Sequence, residues 1–297
     1  MKEAKIIDGK LISRKIKEEL KAEIAKIIDA EEKAPHLVAV IVGEDPASQT
    51  YVASKEKAAK LIGMTSSTYK LPEDTTEEEL LKTIDFLNKD DEVDGFIVQL
   101  PLPEHIDVDK VISSIDPSKD VDGFHPVNVG RMAIGQKAYV SATPAGIMEL
   151  LSRYKIDTAG KHCVVLGRSN IVGSPMSILM SKKTNPGNST VTVCHSRTQN
   201  MEEFTKSADI LICAIGQPQF VKSDMVKKGA VVIDVGIHRV PADNEKGYRI
   251  VGDVDYDEVK YKASHITPVP GGVGPMTISM LLKNTFEASK HEIYPKG

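Results

Sequence analysis

Four continuous apolar runs in the second half of the chain place the strongest constraint on its fold. The runs are HCVVLG at 162–167, STVTVCH at 189–195, ADILICAIG at 208–216 and AVVIDVG at 230–236, with a shorter HITPV near 265. Strands that are covered by helices on both faces are apolar throughout, whereas half-exposed strands alternate. Helical patterns separate the runs, which is typical of an α/β fold with parallel strands. This half is therefore predicted to form a doubly wound parallel sheet.

The first half of the chain shows the same alternation. Its predicted strands are LVAVIVG at 37–43, MTSSTYKL at 64–71 and DGFIVQL at 94–100, with helices over about 46–61 and 77–89 between them. Because strands and helices again alternate, a second α/β domain is predicted here.

A chain of 297 residues is long for a single hydrophobic core, so two domains are expected. The helical pattern TPAGIMELLSRYKID at 143–157 is expected to cross between them. The final helix, which contains ISMLLKNTFEAS, is expected to pack back on the first domain. The predicted division assigns 1–140 and about 275–297 to the first domain and 141–274 to the second.

Composition and charge exclude several classes of function. Hydrophobic residues make up 41% of the chain and charged residues 27%, as in ordinary globular proteins, and the formal net charge is −4. Lysine and arginine are dispersed along the sequence, so neither nucleic acid nor a membrane surface is an expected partner. The N-terminal segment interleaves charged and apolar residues. No signal peptide or membrane span is therefore predicted, and the protein is expected to be cytoplasmic.

The chain has three cysteines, Cys163, Cys194 and Cys213, and each lies within an apolar run. Their odd number and the lack of C-x-x-C spacing argue against a disulfide framework and against a zinc site. No metal site is predicted. The three side chains are expected to be buried free thiols in a reducing compartment.

One lysine lies where an apolar residue is expected. The segment SQTYVASKEKAAK at 48–60 should be helical, because Asp45 and Pro46 form a good helix start. Gly63 can end this helix. On a helical wheel, Lys55 falls in the middle of the apolar stripe. Burial there would disfavour the ammonium form and make Lys55 a better base near neutral pH.

The segment VVLGRSNIVGSP at 164–175 follows a predicted strand and opens a helix, where a dinucleotide-binding loop belongs. Gly167 would allow the chain to turn sharply off the strand. The N-terminus of the next helix would then offer free N–H groups to phosphate. Because the spacing is G-x-S-x-x-x-G, an ordinary strand-to-helix turn is also compatible with it.

The next strand indicates which dinucleotide would bind. Folds that bind NAD often place an acidic residue at this strand end, but the chain has CHSRT at 194–198. Arg168 and Ser169, with Ser196 and Arg197, could instead hold a 2′-phosphate, since an arginine fork suits a phosphate group. NADP is therefore preferred over NAD as the cofactor.

Four segments follow one another between residues 94 and 278: DGFIVQLPLP at 94–103, KDVDGFHPVNVG at 119–130, GRSNIVGSP at 167–175 and PGGVGPMTI at 270–278. Together they resemble the bifunctional methylenetetrahydrofolate dehydrogenase/methenyltetrahydrofolate cyclohydrolase family, and the resemblance covers essentially the whole chain. The resemblance implies that NADP oxidises 5,10-methylenetetrahydrofolate and that the methenyl product is hydrolysed to 10-formyltetrahydrofolate. It also implies a folate-binding catalytic domain, a Rossmann-type NADP domain, a cleft between them and a homodimer.

The same resemblance implies roles for individual residues. The implied catalytic residues are Lys55, Gln99 and Tyr51. Implied substrate contacts are Ser48, Tyr51, Lys55, Leu100, Asp122, Pro270, Gly271 and Gly272. The last three belong to a loop that extends to Gly274. Implied cofactor contacts are Thr143, Gly167, Arg168, Ser169, Ser196 and Ile237. The family often has P-C-T-P-x-G where this chain has SATPAG at 141–146, so no cysteine role can apply at Ala142.

The residues alone leave other interpretations open. Asp122 could be a turn residue, Gln99 a polar cap after a strand, and Tyr51 a core side chain. An NADP-dependent dehydrogenase of an amino or hydroxy acid would share the two-domain plan and could use Lys55 to take a substrate proton, but it has no evident use for PGGVGPMT or Asp122. A non-catalytic NADP sensor has no need for a lysine on an apolar helix face.

Overall fold

The computed structural model describes residues 3–295, which form two compact units. The three-stranded unit contains residues 14–142 and 278–295, and the six-stranded unit contains residues 3–13 and 143–277. Each unit is named after its parallel β-sheet.

The strands are β1 (Lys5–Ile6), β2 (His36–Val42), β3 (Thr65–Leu71), β4 (Gly95–Val98), β5 (His162–Leu166), β6 (Thr190–Cys194), β7 (Ile210–Cys213), β8 (Val231–Asp234), β9 (His238–Pro241), β10 (Tyr248–Val251) and β11 (His265–Ile266). The α-helices are α1 (Gly9–Asp29), α2 (Pro46–Leu61), α3 (Glu77–Lys89), α4 (Val108–Ser114), α5 (Pro126–Ala133), α6 (Ala142–Arg153), α7 (Gly173–Ser181), α8 (Met201–Ser207), α9 (Tyr256–Val259) and α10 (Val273–Ser289). A short 3₁₀ helix covers Ser223–Met225.

The sheet of the three-stranded unit has the order β3-β2-β4, and both of its pairings are parallel. The central strand β2 is buried from Leu37 to Val42, as expected for a parallel strand with neighbours on both sides. The strands and helices predicted from the first half of the sequence are confirmed, and the bounds of α2 and α3 match the prediction.

Helix α3 shows why these segments fold as they do. Thr76 and Glu79 form a capping box at its start, because each side chain accepts a hydrogen bond from the other residue's backbone N–H. Leu80, Ile84 and Leu87 follow at helical spacing and are fully buried against side chains of β2 and β4. The apolar face of α3 therefore supplies much of the core beneath the three-stranded sheet.

The six-stranded sheet has the order β1-β11-β8-β7-β5-β6, and every pairing in it is parallel. The four long apolar runs form β5, β6, β7 and β8, and the run near 265 forms β11. Strands β5, β7 and β8 are almost completely buried. The prediction of a doubly wound parallel sheet in the second half of the chain is confirmed.

Helix α10 provides the last part of the three-stranded unit. Asn284 donates hydrogen bonds from Nδ2 to the carbonyl oxygens of Val121 and Val140, at 2.8 and 3.0 Å. After the end of the helix, the Tyr294 hydroxyl donates to Asn128 Oδ1 at 2.7 Å in the same unit. The C-terminal helix therefore packs on the unit that contains the first half of the chain, which confirms this part of the predicted fold.

The position of β1 differs from the predicted division, which assigned all of 1–140 to the first domain. Lys5 N donates to Ser264 O and Ile7 N donates to Ile266 O, so β1 belongs to the six-stranded sheet. Its two residues are exposed and carry no apolar run, so the sequence offered no signal for this strand. The division into 1–140 with about 275–297 and 141–274 stays a prediction.

Other elements had no expectation in the sequence. The antiparallel hairpin of β9 and β10 and the short helices α4 and α5 have few buried residues each, so their periodicity is weak. Across residues 3–295, no helix combines the length and the apolar character needed to cross a membrane.

Replacing Leu80 by Ala tests the role of α3 in the core. Leu80 has no exposed surface, so the substitution should leave a cavity and lower the free energy of unfolding by about 2–5 kcal/mol. Phe86 on the same helix is 55% exposed, and Phe86→Ala should change stability by only about 0.5 kcal/mol. Urea denaturation of both variants measures the difference, and equal losses would contradict the described orientation of α3.

Candidate active site

Helix α2 carries the lysine that the sequence singled out. Asp45 caps the helix by accepting a hydrogen bond from Ser48 N at 2.7 Å, and Pro46 occupies the first turn. The buried residues of the helix are Ser48, Val52, Lys55 and Ala59. Lys55 is 5% exposed, in agreement with its position on the helical wheel.

Two predicted catalytic side chains lie close to the Lys55 ammonium. Lys55 Nζ donates to Gln99 Oε1 at 3.1 Å and lies 5.0 Å from the ring centroid of Tyr51, one turn earlier on α2. Gln99 follows β4, and its backbone N–H donates to Val40 O at 2.8 Å, continuing the pairing with β2. Gln99 Nε2 donates to Leu100 O, which turns Oε1 towards the lysine. The structure therefore brings Lys55, Gln99 and Tyr51 together.

The environment of Lys55 changes its acidity. Burial lowers the pKa of Lys55 below the usual value for lysine, and the negative charge of Asp122 partly opposes this effect. Burial raises the pKa of Asp122, and the positive charge of Lys55 opposes that shift. The low polarity of the surroundings therefore favours the neutral amine, while the carboxylate limits the change.

Asp122 lies in a turn that a second, fully buried aspartate organises. Asp120 accepts hydrogen bonds from Phe124 N, His125 N and Asn128 Nδ2 at 3.2, 2.8 and 2.9 Å. Burial raises the pKa of Asp120 to about 7, although these three bonds act in the opposite direction. Gly123 has φ +72°, and a Cβ there would lie 2.6 Å from Ser141 N, so only glycine fits this turn.

The segment after β5 has the features of a dinucleotide-binding loop. Gly167 has φ +115°, and a Cβ on it would lie 2.1 Å from Ala214 O, so the close approach requires glycine. Ser169 Oγ accepts a hydrogen bond from Val172 N at 3.2 Å, immediately before α7 begins at Gly173. The loop therefore turns sharply from a buried strand into a helix N-terminus, which suits a phosphate group.

Arg168 and Ser196 lie on neighbouring strand ends. Leu166 of β5 pairs with Cys194 of β6, and Gly167 N donates to Cys194 O at 2.8 Å. Both side chains are exposed at this edge, and CHSRT contains no carboxylate. The donors present therefore fit a dinucleotide with a 2′-phosphate better than one with a free ribose 2′-hydroxyl.

The remaining predicted residues are distributed over both units. Ser48 is buried in α2 and Leu100 follows Gln99 in the three-stranded unit. In the six-stranded unit, Thr143 Oγ1 lies 3.0 Å from Thr277 Oγ1. Ile237 is 59% exposed and lines a cleft of about 130 Å³.

The loop that contains Pro270, Gly271 and Gly272 lines the same cleft as Ile237. A Cβ on Gly274 would lie 3.2 Å from Ile237 Cδ1, so this loop contacts the segment after β8. Gly271 has φ +110°, which explains a glycine at that position. The structure therefore brings one predicted cofactor contact beside the predicted substrate loop.

Sequence reasoning missed three polar residues beside the dinucleotide loop. Asp234, at the end of β8, accepts hydrogen bonds from Gly236 N, Asp253 N and Val254 N at 3.0, 2.8 and 3.0 Å. Burial raises the pKa of Asp234 to about 7. Asp253 is completely buried, and His238 Nε2 donates to its carboxylate at 2.7 Å. The only signal in the sequence is an acidic residue directly after an apolar run, as in AVVID.

The cysteines offer no reactive thiol near these groups. Cys163, Cys194 and Cys213 are buried and free. Burial raises the pKa of Cys163 to about 12 and that of Cys213 well above its usual value. The part of the chain between residues 3 and 295 also contains no group of three or more His, Cys, Asp or Glu side chains that could hold a metal ion.

Comparison with protein families assigns both halves of the chain. Residues 7–122 match the catalytic domain of tetrahydrofolate dehydrogenase/cyclohydrolase, and residues 141–293 match the NAD(P)-binding domain of the same family. The bifunctional protein FolD of Flavobacterium johnsoniae is 62% identical over 286 residues, which cover 96% of this chain and 97% of that protein.

Solved structures are similar over the same length. A bifunctional methylenetetrahydrofolate dehydrogenase/cyclohydrolase from Campylobacter jejuni has a TM-score of 0.91 and 49% identity, covering 97% of this chain and 99% of that one. The Trypanosoma brucei enzyme, complexed with NADP cofactor and inhibitor, has a TM-score of 0.92 and 41% identity, covering 99% and 100%. The chain belongs to the tetrahydrofolate dehydrogenase/cyclohydrolase family.

Proposed function

We propose that this protein oxidises 5,10-methylenetetrahydrofolate to 5,10-methenyltetrahydrofolate with NADP and hydrolyses the product to 10-formyltetrahydrofolate. The observation that carries the proposal is the buried Lys55 amino group, which is hydrogen-bonded to Gln99 and beside Tyr51. Family membership over both halves of the chain supports the same two reactions.

Hydrolysis of the methenyl cation requires a base that takes a proton from the attacking water. Lys55 serves as this base, because burial lowers its pKa towards the range in which the neutral amine is available. Gln99 Oε1 accepts a hydrogen bond from the amine and fixes its direction. Because the amide is neutral, Gln99 orients the amine without stabilising the ammonium as a carboxylate would.

Asp122 and Tyr51 bind the folate. A carboxylate can accept two parallel hydrogen bonds from the amino group and ring N–H of a pterin, and the buried Asp120 network holds Asp122 in place for this. The Tyr51 ring lies on the same face of α2 as Lys55 and offers a flat surface for stacking. Ser48 and Leu100, together with Pro270, Gly271 and Gly272, are further proposed substrate contacts.

Oxidation of the methylene carbon needs no acid or base from the protein. Bound NADP would supply the hydride acceptor, and the protein would have only to hold the two reacting carbons close together. Gly167, Ser169 and the start of α7 would hold the phosphates, while Arg168 and Ser196 would hold the 2′-phosphate. Thr143 and Ile237 are the remaining proposed cofactor contacts.

Family membership favours the folate reactions over the two alternatives that the sequence left open, a dehydrogenase of amino or hydroxy acids and an NADP sensor. A dehydrogenase of amino or hydroxy acids could use Lys55 to take a substrate proton, but it has no evident use for PGGVGPMT or for Asp122. A sensor gains nothing from a lysine whose ammonium form is disfavoured. The hydrogen bond to Gln99 and the lowered pKa of Lys55 therefore favour catalysis over sensing, and Asp122 and PGGVGPMT favour folate as the substrate.

Three broader proposals accompany the function. We propose a division into a folate domain (1–140 with about 275–297) and an NADP domain (141–274). The family matches support it for 7–122 and 141–274, and the hydrogen bonds of Asn284 in α10 to Val121 and Val140 support the place of the C-terminal segment. A homodimer is supported by apolar surface at the sheet end formed by β6, where Val193 and Phe204 are exposed. A cytoplasmic location is supported by the three free buried thiols, which suit a reducing compartment.

Replacing Lys55 by Met separates the two activities. The variant keeps a long side chain but has no base, so hydrolysis of methenyltetrahydrofolate should fall by about 10²-fold or more, and NADP reduction should fall far less. Lys57 on the same helix is exposed, so Lys57→Met should leave both rates unchanged. Absorbance assays of NADPH formation and methenyl loss measure both rates, and wild-type hydrolysis by Lys55→Met would disprove the assigned role.

The rate of hydrolysis should depend on pH through Lys55. Because burial lowers the pKa of Lys55, the neutral amine forms as pH rises through that lowered value, so kcat/KM should increase along the same limb. The negative charge of Asp122 raises the pKa of Lys55, so Asp122→Asn should shift this limb to lower pH. A pH–rate profile of both proteins tests the sign, and a limb that moves upward in the variant contradicts it.

Arg168→Ala tests the preference for NADP. Loss of the guanidinium should weaken NADP binding by about tenfold or more, because a charge-assisted contact with the 2′-phosphate is removed. Binding of NAD, which lacks this phosphate, should be almost unaffected. Arg249→Ala removes another exposed arginine of the same unit and serves as the control. Calorimetric titration of both dinucleotides measures the effect, and equal losses for NADP and NAD would refute the assignment.

A further inference from the structure

The turn at 214–217 lies between two segments that the proposed function assigns to the cofactor. Strands β8, β7 and β5 are neighbours in that order and run parallel, so the segments that follow them lie side by side. Ile237 follows β8, and Gly167 follows β5. The turn after β7 contacts the Gly167 loop directly, because Ala214 O occupies the space that a Cβ on Gly167 would need. A dinucleotide held at both segments must therefore pass this turn.

The carboxylate of Asp253 shapes the turn. Its Oδ2 accepts hydrogen bonds from Ile215 N and Gly216 N at 2.8 and 3.1 Å, and its Oδ1 accepts from Gln217 N at 3.0 Å. Three successive backbone N–H groups are thus directed at one buried side chain, which comes from the segment after β10. Because these donors are held by a distant residue, the conformation of the turn depends on Asp253.

The same carboxylate also fixes the segment that carries Ile237. His238 Nε2 donates to Asp253 Oδ1 at 2.7 Å on one side of Ile237. On the other side, Gly236 N donates to Asp234 Oδ1 at 3.0 Å, and a Cβ on Gly236 would lie 2.4 Å from Asp253 Oδ1. Both neighbours of Ile237 are therefore held by the two buried aspartates, although Ile237 itself is exposed.

We infer that Asp253 and His238 are positioning residues of the dinucleotide site. They fix the positions of the 214–217 turn and of the Ile237 segment relative to the Gly167 loop. The inference rests on the proposed function for the identity of the cofactor. Neither residue has to contact NADP or folate. Their effect is on the NADP half of the reaction, since hydrolysis of the methenyl compound does not consume NADP.

The geometry explains why an amide cannot replace this carboxylate. Oδ1 and Oδ2 of Asp253 both face donors, two on each side, and an aspartate can accept all four hydrogen bonds. An asparagine has one oxygen and one NH₂ group. Whichever way it is oriented, its NH₂ group would face at least one backbone N–H that cannot accept a hydrogen bond, so part of the turn would lose its position.

Asp253→Asn and two His238 variants test the inference. We expect Asp253→Asn to raise both the KM and the calorimetric Kd for NADP by about tenfold or more. Hydrolysis of methenyltetrahydrofolate should stay within about twofold of the unmodified enzyme. Asp257→Asn, the same change at an exposed site of the same unit, is the matched control and should change neither activity.

The His238 variants keep the test valid if Asp253→Asn does not fold. His238→Ala removes the N–H donor and should raise the Kd for NADP several-fold, by about 3 to 10. His238→Gln can place an amide N–H near the same carboxylate oxygen and should restore affinity to within about twofold. The unfolding temperature of each variant is measured in parallel, so that binding is compared only below the onset of unfolding.

Each result has a definite meaning. Selective loss of NADP affinity in Asp253→Asn or His238→Ala, with hydrolysis retained, supports the inference. NADP affinity within twofold of the unmodified enzyme in every folded variant overturns it, as does an equal loss of both activities. If the unmodified enzyme binds NADP but does not act on folate, the proposed function fails, and the Kd values still decide the inference. If the unmodified enzyme binds no NADP, both fail.

Discussion

The hydrogen bond between Lys55 and Gln99 is the interaction on which the candidate catalytic site depends. A lysine side chain on a buried helix face loses hydration, and this loss disfavours its charged form. A neutral amide is the partner that satisfies the amine without reversing that effect, whereas a carboxylate at the same distance would stabilise the ammonium. The more distant carboxylate of Asp122 stabilises the ammonium form of Lys55 and so opposes the effect of burial. The balance between burial and these two partners decides how much neutral amine exists near pH 7.

The contact between Lys55 and Gln99 forms because helix α2 positions the lysine and strand β4 positions the glutamine. Helix α2 starts at a capped Asp45 and Pro46, so that Lys55 falls on its buried face. Strand β4 pairs with β2, and the pairing continues to Gln99 N, which carries the amide to the carboxyl end of the sheet. Parallel sheets place their functional polar groups at the carboxyl ends of the strands, because the strands themselves are buried and apolar.

The sequence predicts some features of the fold and site and misses others, because some depend on local patterns and others on contacts between residues far apart in the chain. Apolar runs identified β5 to β8, and the helical wheel identified the burial of Lys55, because both signals are local. The bonds from Asp253 to the 214–217 turn connect residues 36 to 38 positions apart, and no local pattern marks their partners. Strand β1 was missed for a similar reason, since two exposed residues become a strand only through pairing with β11.

Buried aspartates perform the same structural task in both units. Asp120 collects the N–H groups of Phe124 and His125 and thereby holds the turn that carries Asp122. Asp253 accepts hydrogen bonds from three backbone N–H groups and thereby holds the turn beside the Gly167 loop. In each unit, the residue proposed to contact a ligand is partly or fully exposed, whereas the carboxylate that fixes its backbone is not. Burial removes water as a competing partner for these N–H groups, so each turn has one favoured conformation before a ligand arrives. In both units, therefore, a buried carboxylate fixes the backbone of the turn next to a residue that is proposed to contact a ligand.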